Sequence, residues 1–143
     1  MKVSTRGRYA LRFMIDLAQQ DRSEYTALKD ISRRQNISIK YLEQITALMS
    51  KFGLLLSSRG PQGGYRLAKE PYEYTVGEIL RITEGDFASV ACLTSSEEST
   101  GDDLATLKLW KDLSQLINDY LNGRTLQNLI DQAHEYEGPE YYI

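Results

Sequence analysis

The segment Arg59-Gly60-Pro61-Gln62-Gly63-Gly64-Tyr65-Arg66-Leu67 joins two short extended runs through a turn rich in glycine and proline. Pro61 fixes its own φ, and Gly63 and Gly64 permit a positive φ, so we predict a tight hairpin. Most hairpins of this kind are plain connections between strands. The significance of this one depends on the helices predicted before it and on the arginine near each of its ends.

Two amphipathic helices are predicted at the start of the chain. The first covers residues 5–20, with Ser4 or Thr5 as its N-cap. Its apolar side chains share one face: Tyr9, Phe13, Met14, Leu17 and Ala18. The second helix covers about 27–35, and Thr26 is its predicted cap.

A third predicted helix begins at the Ser38 cap, and Gly53 ends it. Its apolar face consists of Leu42, Ile45, Met49 and Phe52, and the opposite face of Lys40, Gln44, Ala47 and Lys51. Its first turn carries groups that can hydrogen-bond base edges: Ser38, Lys40, Tyr41, Glu43 and Gln44. Two helices followed by a hairpin, with strands at 54–58 and 65–68, are typical of a winged helix-turn-helix DNA-binding domain.

Charge is segregated along the sequence. Residues 1–66 carry 12 Lys and Arg against 5 Asp and Glu, a net of +7, whereas residues 67–143 carry 5 against 15, a net of −10. A basic half favours a polyanion such as DNA through the release of counterions. The other interpretation is a chance imbalance between solvated faces.

Length and composition exclude several classes of protein. The 143 residues, 41% hydrophobic and 26% charged, fit one soluble domain with an appended element. There is no run of eighteen apolar residues and no signal-peptide segment, so we expect a cytoplasmic protein that does not enter a membrane. One cysteine and one histidine leave little for metal or triad chemistry, so we expect no enzyme and no cofactor.

The acidic half is predicted to add three helices. Thr75 caps the first, 76–84, and a loop over 86–103 leads to a long helix at about 103–122, before a last helix at about 125–134. The long helix is rich in apolar side chains: Leu104, Leu107, Leu109, Trp110, Leu113, Leu116, Ile117, Tyr120 and Leu121. One small domain cannot cover that surface, so we predict packing against a second copy, as in DNA readers that pair to match two half-sites.

Several segments carry a resemblance to a known family: MKVSTRGRYA (1–10), ISIKYLEQ (37–44), RGPQGGY (59–65), TVGEI (75–79) and LWKDL (109–113). Together they resemble the bacterial winged-helix regulators that include the iron–sulfur regulator IscR and the cysteine-metabolism repressor CymR. The resemblance implies a homodimer on double-stranded DNA, with the third helix in the major groove and the wing on the adjacent minor groove or backbone.

The resemblance also implies roles for individual residues. Base contacts would come from Ser38, Lys40, Tyr41, Glu43 and Gln44, and wing contacts from Arg59, Gly60, Gly63, Gly64 and Tyr65. Phosphates would be bound by Arg6, Arg8, Ser57 and Ser58, which sets register without reading sequence. The dimer interface would consist of Leu109, Trp110, Leu113, Leu116, Ile117 and Tyr120. Tyr41 and Glu43 could instead be a surface residue and a partner of the helix dipole.

The chain departs from those relatives that bind an iron–sulfur cluster. The resemblance places three cysteines and a further ligand around the loop before the long helix. Cys92 falls at the first cysteine position, but Glu98, Leu104 and Leu107 occupy the others. A cluster needs about four such ligands, so we predict that none is bound. Cys92 is then either a redox-sensitive thiol or a half-buried, unreactive side chain.

The last residues, Tyr141, Tyr142 and Ile143, resemble the Ile-ended tail with which serine acetyltransferase enters O-acetylserine sulfhydrylase (cysteine synthase). CymR-type repressors have a similar end and engage the same enzyme, and backbone N–H groups readily capture such a carboxylate. The tail could equally dock on its own dimer.

We therefore expect a mainly α fold with a small β wing. A winged helix-turn-helix domain would cover residues 1–70, a linking helix and loop 71–103, and the dimerisation helix, last helix and tail 104–143. The predicted function is a dimeric, sequence-specific repressor of cysteine and sulfur metabolism, with DNA binding modulated by the sulfhydrylase. The alternative is a redox- or ligand-sensing regulator of the same fold that uses Cys92.

Overall fold

The computed structural model describes residues 2–85 and 100–137. Its elements, in order, are α1 (Thr5–Ala18), α2 (Leu28–Gln35), α3 (Ile39–Lys51), β1 (Leu55–Ser58), β2 (Gly64–Leu67), a 3-10 turn (Pro71–Glu73), α4 (Val76–Glu84), α5 (Gly101–Asn122) and α6 (Leu126–Glu137). The predicted fold class, mainly α with a two-stranded antiparallel sheet, is confirmed. Within the described ranges, the helices are too short or too polar to cross a membrane.

A single apolar core joins the N-terminal helices to α6. Its fully buried members in α1, α2 and α3 are Ala10, Phe13, Met14, Ile31, Leu42, Ile45 and Met49. Leu126 and Ile130 of α6 belong to the same cluster. Phe52, predicted to be buried, is instead 57% exposed, because α3 ends at Lys51 and Phe52 takes the C-cap position.

Side-chain caps begin several helices where the sequence predicts them. A side-chain oxygen accepts a hydrogen bond from the N–H group three residues later at Ser4, Ser38 and Thr75. The prediction for Thr26 was wrong. Ala27 is the N-cap of α2, and the backbone of Thr26 pairs with that of Tyr65 instead.

A buried carboxylate fixes α1 against α2. Asp16 accepts hydrogen bonds from Arg34 Nη2 at 2.7 Å and Nε at 3.0 Å, and from Gln35 Nε2 at 2.9 Å. The Asp16 side chain is 4% exposed, so it depends on these donors to replace water. The contact fixes α1 relative to α2, and α3 packs against these two helices.

The hairpin closes through a turn in which the Gly63 N–H donates to the Gly60 carbonyl at 2.9 Å. Positive φ occurs at Gly60 (103°) and Gly64 (148°) but not at Gly63. Gly63 is required for a different reason. A Cβ at this position would lie closer than 3.0 Å to the carbonyl oxygen of Ser58.

Candidate nucleic-acid interface

The solvent face of α3 carries the side chains predicted to read bases. Ser38, Lys40, Glu43 and Gln44 are all exposed, whereas Leu42, Ile45 and Met49 turn into the core. The 3.6-residue period of the helix produces this division, because the two sets recur on opposite sides of the axis. The exposed set holds donors and acceptors suited to the major groove.

Tyr41 differs from the other four candidates because it also holds two helices together. It is half-buried, and its ring meets the ring of Tyr9 edge to face, with centroids 5.4 Å apart. The guanidinium of Arg12 lies 5.3 Å from the centroid of the same Tyr9 ring. The first turn of α3 therefore lies beside the first half of α1, where Arg8 and Arg12 are exposed.

The wing is attached to the beginning of α2 by its backbone. The Tyr65 N–H donates to the Thr26 carbonyl at 2.9 Å, and the Thr26 N–H donates to the Tyr65 carbonyl at 2.8 Å. A Cβ on Gly64 would lie closer than 3.0 Å to that Thr26 oxygen, so glycine is needed for the close approach. Arg66 reinforces the attachment by lying over the ring of Tyr25 at 4.7 Å.

The remaining wing candidates lie at the free end of the hairpin. Arg59 and Gly60 are exposed in the turn, and Ser57 and Ser58 are exposed on β1. Tyr65 is half-buried and packs against the core, so its contribution to the wing is structural in this conformation. The structure thus brings Arg59 and the two serines to one small hairpin.

An open groove of about 820 Å³ separates the wing turn from the connection between α1 and α2. Its lining carries both signs of charge: Asp21, Glu24 and Asp30, together with Lys29 and Arg34. Two hydrogen bonds from Ser23 lower the pKa of Asp21, so that group stays ionised. Three acidic and two basic side chains leave this side of the wing slightly acidic, in contrast to the basic first half of the sequence.

The two candidate phosphate ligands on α1 are exposed but differ in what they bind. Arg6 Nη2 donates to the carbonyl oxygen of Thr83 at 2.9 Å, whereas Arg8 Nη2 donates to Thr5 Oγ1 at 3.1 Å. Arg6 is therefore held against the end of α4. Among the described residues, Arg8 is held only by Thr5, on its own helix turn.

Helix α5 contacts the body of the protein by one side and exposes large apolar side chains on the opposite side. Asn118 and Asn122 accept hydrogen bonds from Arg81 of α4, so that side packs on the body of the protein. The opposite side exposes a continuous stripe at i, i+4, i+7 and i+11: Leu109, Leu113, Leu116 and Tyr120. Trp110 is 38% exposed and Ile117 is half-buried, so these two predicted interface residues flank the stripe. No residue of α5 is fully buried.

Comparison with known proteins gives a consistent result. The model of the Rrf2 family, described as iron-dependent transcriptional regulators, matches residues 3–132. The HTH-type transcriptional regulator IscR of Vibrio vulnificus is 38% identical over 137 residues, covering 96% of this chain and 82% of that relative. A putative HTH-type transcriptional regulator of Neisseria meningitidis is 37% identical, covering 96% and 93%.

Solved structures agree in fold and length. CymR, the global cysteine regulator of B. subtilis, has a TM-score of 0.80 and 36% identity, covering 92% of this chain and 98% of its own. IscR of T. potens has a TM-score of 0.78 and 36% identity, covering 99% and 97%.

The remaining predicted residues concern cofactor and partner binding. Cys92, Tyr141, Tyr142 and Ile143 lie outside the described residues. The donor set of the chain does not fit an iron–sulfur cluster, since it holds one cysteine and one histidine, and two of the implied ligand positions are the leucines Leu104 and Leu107. Residues 2–85 and 100–137 contain no group of three metal-ligating side chains. The matched family model, the regulators similar over nearly the whole chain and the shared winged-helix architecture lead to one conclusion: this chain belongs to the Rrf2 family and is a transcriptional regulator rather than an enzyme.

Proposed function

We propose that this regulator is a cytoplasmic, homodimeric, sequence-specific repressor of cysteine and sulfur metabolism, whose DNA binding is modulated by O-acetylserine sulfhydrylase. The observation that carries the proposal is the exposed polar face of α3 beside a wing that backbone hydrogen bonds fix to α2. Similarity over most of the chain to the global cysteine regulator of B. subtilis supports the metabolic assignment. The unsuitable donor set for a cluster supports it further.

In this proposal the contacts to DNA fall into two classes. Glu43 accepts a hydrogen bond from cytosine N4 and Gln44 pairs with adenine, while Ser38, Lys40 and Tyr41 complete the base contacts. Arg59 enters the adjacent groove from the tip of the wing. Phosphates are bound by Arg6, Arg8, Ser57 and Ser58, and these contacts set register and orientation.

Two substitutions separate base reading from phosphate binding. Glu43→Ala should change the preferred base at one operator position, because the acceptor for that base is lost. Arg8→Ala should weaken binding to every sequence alike and reduce the salt slope by about 1. Both are measured by anisotropy on an operator chosen from a random duplex library, for which the wild type should have a Kd on the order of 10⁻⁸–10⁻¹¹ M. Binding without steep salt dependence would favour a module that recognises something other than DNA.

A second copy of the chain is the proposed occupant of the α5 stripe. The support is continuity, since four large apolar side chains follow one another on the side turned away from α4. A two-fold pair of winged domains would also match two operator half-sites.

The remaining part of the proposal concerns the signal that modulates DNA binding. Selection of bound genomic fragments with and without the sulfhydrylase and O-acetylserine would identify both the regulated genes and the effect of the enzyme. Deletion of Ile143 should abolish the effect of the enzyme, and an unchanged response would exclude capture of Tyr141, Tyr142 and Ile143 by the sulfhydrylase. The alternative, a sensor that uses Cys92, predicts instead that Cys92→Ser removes a response to oxidant or ligand.

A further inference from the structure

Glu84, the last residue of α4, contacts the first turn of α1. Its Oε1 accepts a hydrogen bond from the Ser4 N–H at 3.1 Å and another from the Ser4 hydroxyl. One residue earlier, the carbonyl oxygen of Thr83 accepts a hydrogen bond from Arg6 Nη2. The end of α4 therefore holds both the N-cap of α1 and a proposed phosphate ligand.

The missing side chain of Gly7 makes room for this contact. A Cβ at Gly7 would lie closer than 3.0 Å to Glu84 Oε1 and 3.2 Å from Val3 Cγ1. Gly7 is buried inside α1 and is not among the glycines with positive φ, so its backbone conformation does not require glycine. Glycine within a helix costs stability relative to alanine. Its presence here is explained by the approach of the Glu84 carboxylate.

The opposite end of α4 is fixed in a similar way. A Cβ at Gly77 would lie closer than 3.0 Å to Asn122 Oδ1, and Arg81 Nη2 donates to that same oxygen at 2.6 Å. Helix α4 is thereby held on α5, on the side away from the exposed apolar stripe. Glu84 is consequently presented to α1 by a helix that is also bound to α5.

We propose that Glu84 is a positioning residue for DNA binding, which fixes the first turn of α1 so that Arg6 and Arg8 meet the phosphates. This inference rests on the proposed function. Two effects of Glu84 have opposite signs. Its negative charge near the phosphates weakens binding, so removal of the charge alone would strengthen it. Loss of its hydrogen bonds to Ser4 would weaken binding, because the helix turn that carries Arg6 and Arg8 would no longer be held in one orientation.

Gly7→Ala tests the positioning contact without removing the carboxylate. The new methyl group displaces the end of a flexible side chain, and the gain in helix propensity offsets the lost Ser4 hydrogen bonds in part, so Tm should stay close to that of the wild type. We expect operator affinity to fall about tenfold, as for one lost charge-assisted contact, and the salt slope to fall by about 1. Glu84→Gln, the matched control, keeps an oxygen acceptor for both Ser4 bonds, and should bind at least as tightly as the wild type.

The same measurements separate failure of this inference from failure of the proposed function. A wild type without sequence-specific binding would contradict the proposed function itself. A wild type that binds its operator, together with a Gly7→Ala variant of equal affinity and equal salt slope, would overturn the positioning role. In an Arg6→Ala background, Gly7→Ala should have a smaller effect than in the wild type, because the two act through a shared contact. Full additivity would also overturn the proposal.

Discussion

Tyr74 joins the wing to the rest of the domain through one hydroxyl group. Its side chain is fully buried, and its O–H donates to the Leu54 carbonyl at 2.6 Å. The same oxygen accepts hydrogen bonds from the N–H groups of Ala68 at 3.0 Å and Lys69 at 3.2 Å. These backbone groups lie where β1 begins and β2 ends, so the base of the hairpin depends on a residue outside it. Burial raises the pKa of the Tyr74 hydroxyl.

Tyr74→Phe should reduce the free energy of unfolding by about 0.5–1.5 kcal/mol, because it removes the hydroxyl's hydrogen bonds to Leu54 and Lys69, while the Ala68 N–H still donates to the Leu54 carbonyl. The control is Tyr72→Phe, at a position 65% exposed, which should change stability by less than about 0.5 kcal/mol. Urea denaturation at neutral pH measures both. Equal losses in the two variants would contradict the role assigned to the Tyr74 hydroxyl.

Unfolding at alkaline pH provides a second test of the Tyr74 hydroxyl, by comparison of the wild type with Tyr74→Phe. An exposed tyrosine in the unfolded chain loses its proton near pH 10, whereas the raised pKa keeps Tyr74 protonated in the folded state at that pH. Above about pH 10 the unfolded state therefore binds fewer protons, and stability falls as pH rises toward the folded pKa. The wild type should lose stability more steeply than Tyr74→Phe in this range, and parallel curves would contradict the shift.

At the scale of elements, the sequence predicts periodic features well and distant pairings poorly. The exposed and buried faces of α3 and its Ser38 cap follow from local spacing, and the structure has both. Phe52 fits the same period but falls after the last helical residue, where the period no longer applies. The pairing of Thr26 with Tyr65 joins residues far apart in sequence, so no local pattern could indicate it.

In the candidate site, too, local spacing predicts some features and the tertiary fold decides the others. Exposure of Lys40, Glu43 and Gln44 follows from helical spacing alone. The attachment of Arg6 to Thr83 and of Asp16 to Arg34 could not be predicted, since an arginine in a basic segment can bind either a phosphate or another part of the protein. Only the tertiary fold decides which partner is in reach.

Gly64→Ala should detach the wing from α2. The methyl group would overlap the Thr26 carbonyl, and φ of 148° is strained for any side chain, so we expect a loss of about 2–4 kcal/mol in the free energy of unfolding. Gly60→Ala, at φ of 103° with open space around it, should cost about 1–3 kcal/mol through backbone strain alone, without any overlap with Thr26. Hydrogen exchange at the Tyr65 amide should accelerate in the first variant and not in the second. Unchanged protection in both would disprove the attachment.

On the scale of the whole molecule, α5 is the element that exposes a continuous apolar stripe. Its stripe side chains Leu109, Leu113, Leu116 and Tyr120 are between 42% and 67% exposed. Such a continuous apolar patch is unusual on a monomer and typical of an interface. Because α4 contacts α5 through Asn118 and Asn122 on the opposite side, a partner can cover the stripe without disturbing the core.

Leu113→Asp should convert the proposed dimer into a folded monomer, because it introduces a charge at the centre of the stripe. Lys111→Asp, at an exposed position opposite the stripe, should leave the dimer intact. Sedimentation equilibrium gives the mass of each variant, and far-UV circular dichroism shows that α5 remains helical. A wild type that sediments as a monomer at micromolar concentration would refute the assignment of the stripe.

The division of α3 into two faces has a consequence for how such regulators diverge. Lys40, Glu43 and Gln44 project into solvent, so replacing them costs folding little, whereas Ser38 caps the helix and Tyr41 packs on Tyr9. Three positions can thus vary almost freely in evolution while two neighbours stay constrained by stability. A duplicated copy could acquire a new operator through those three positions before any compensating change in the core.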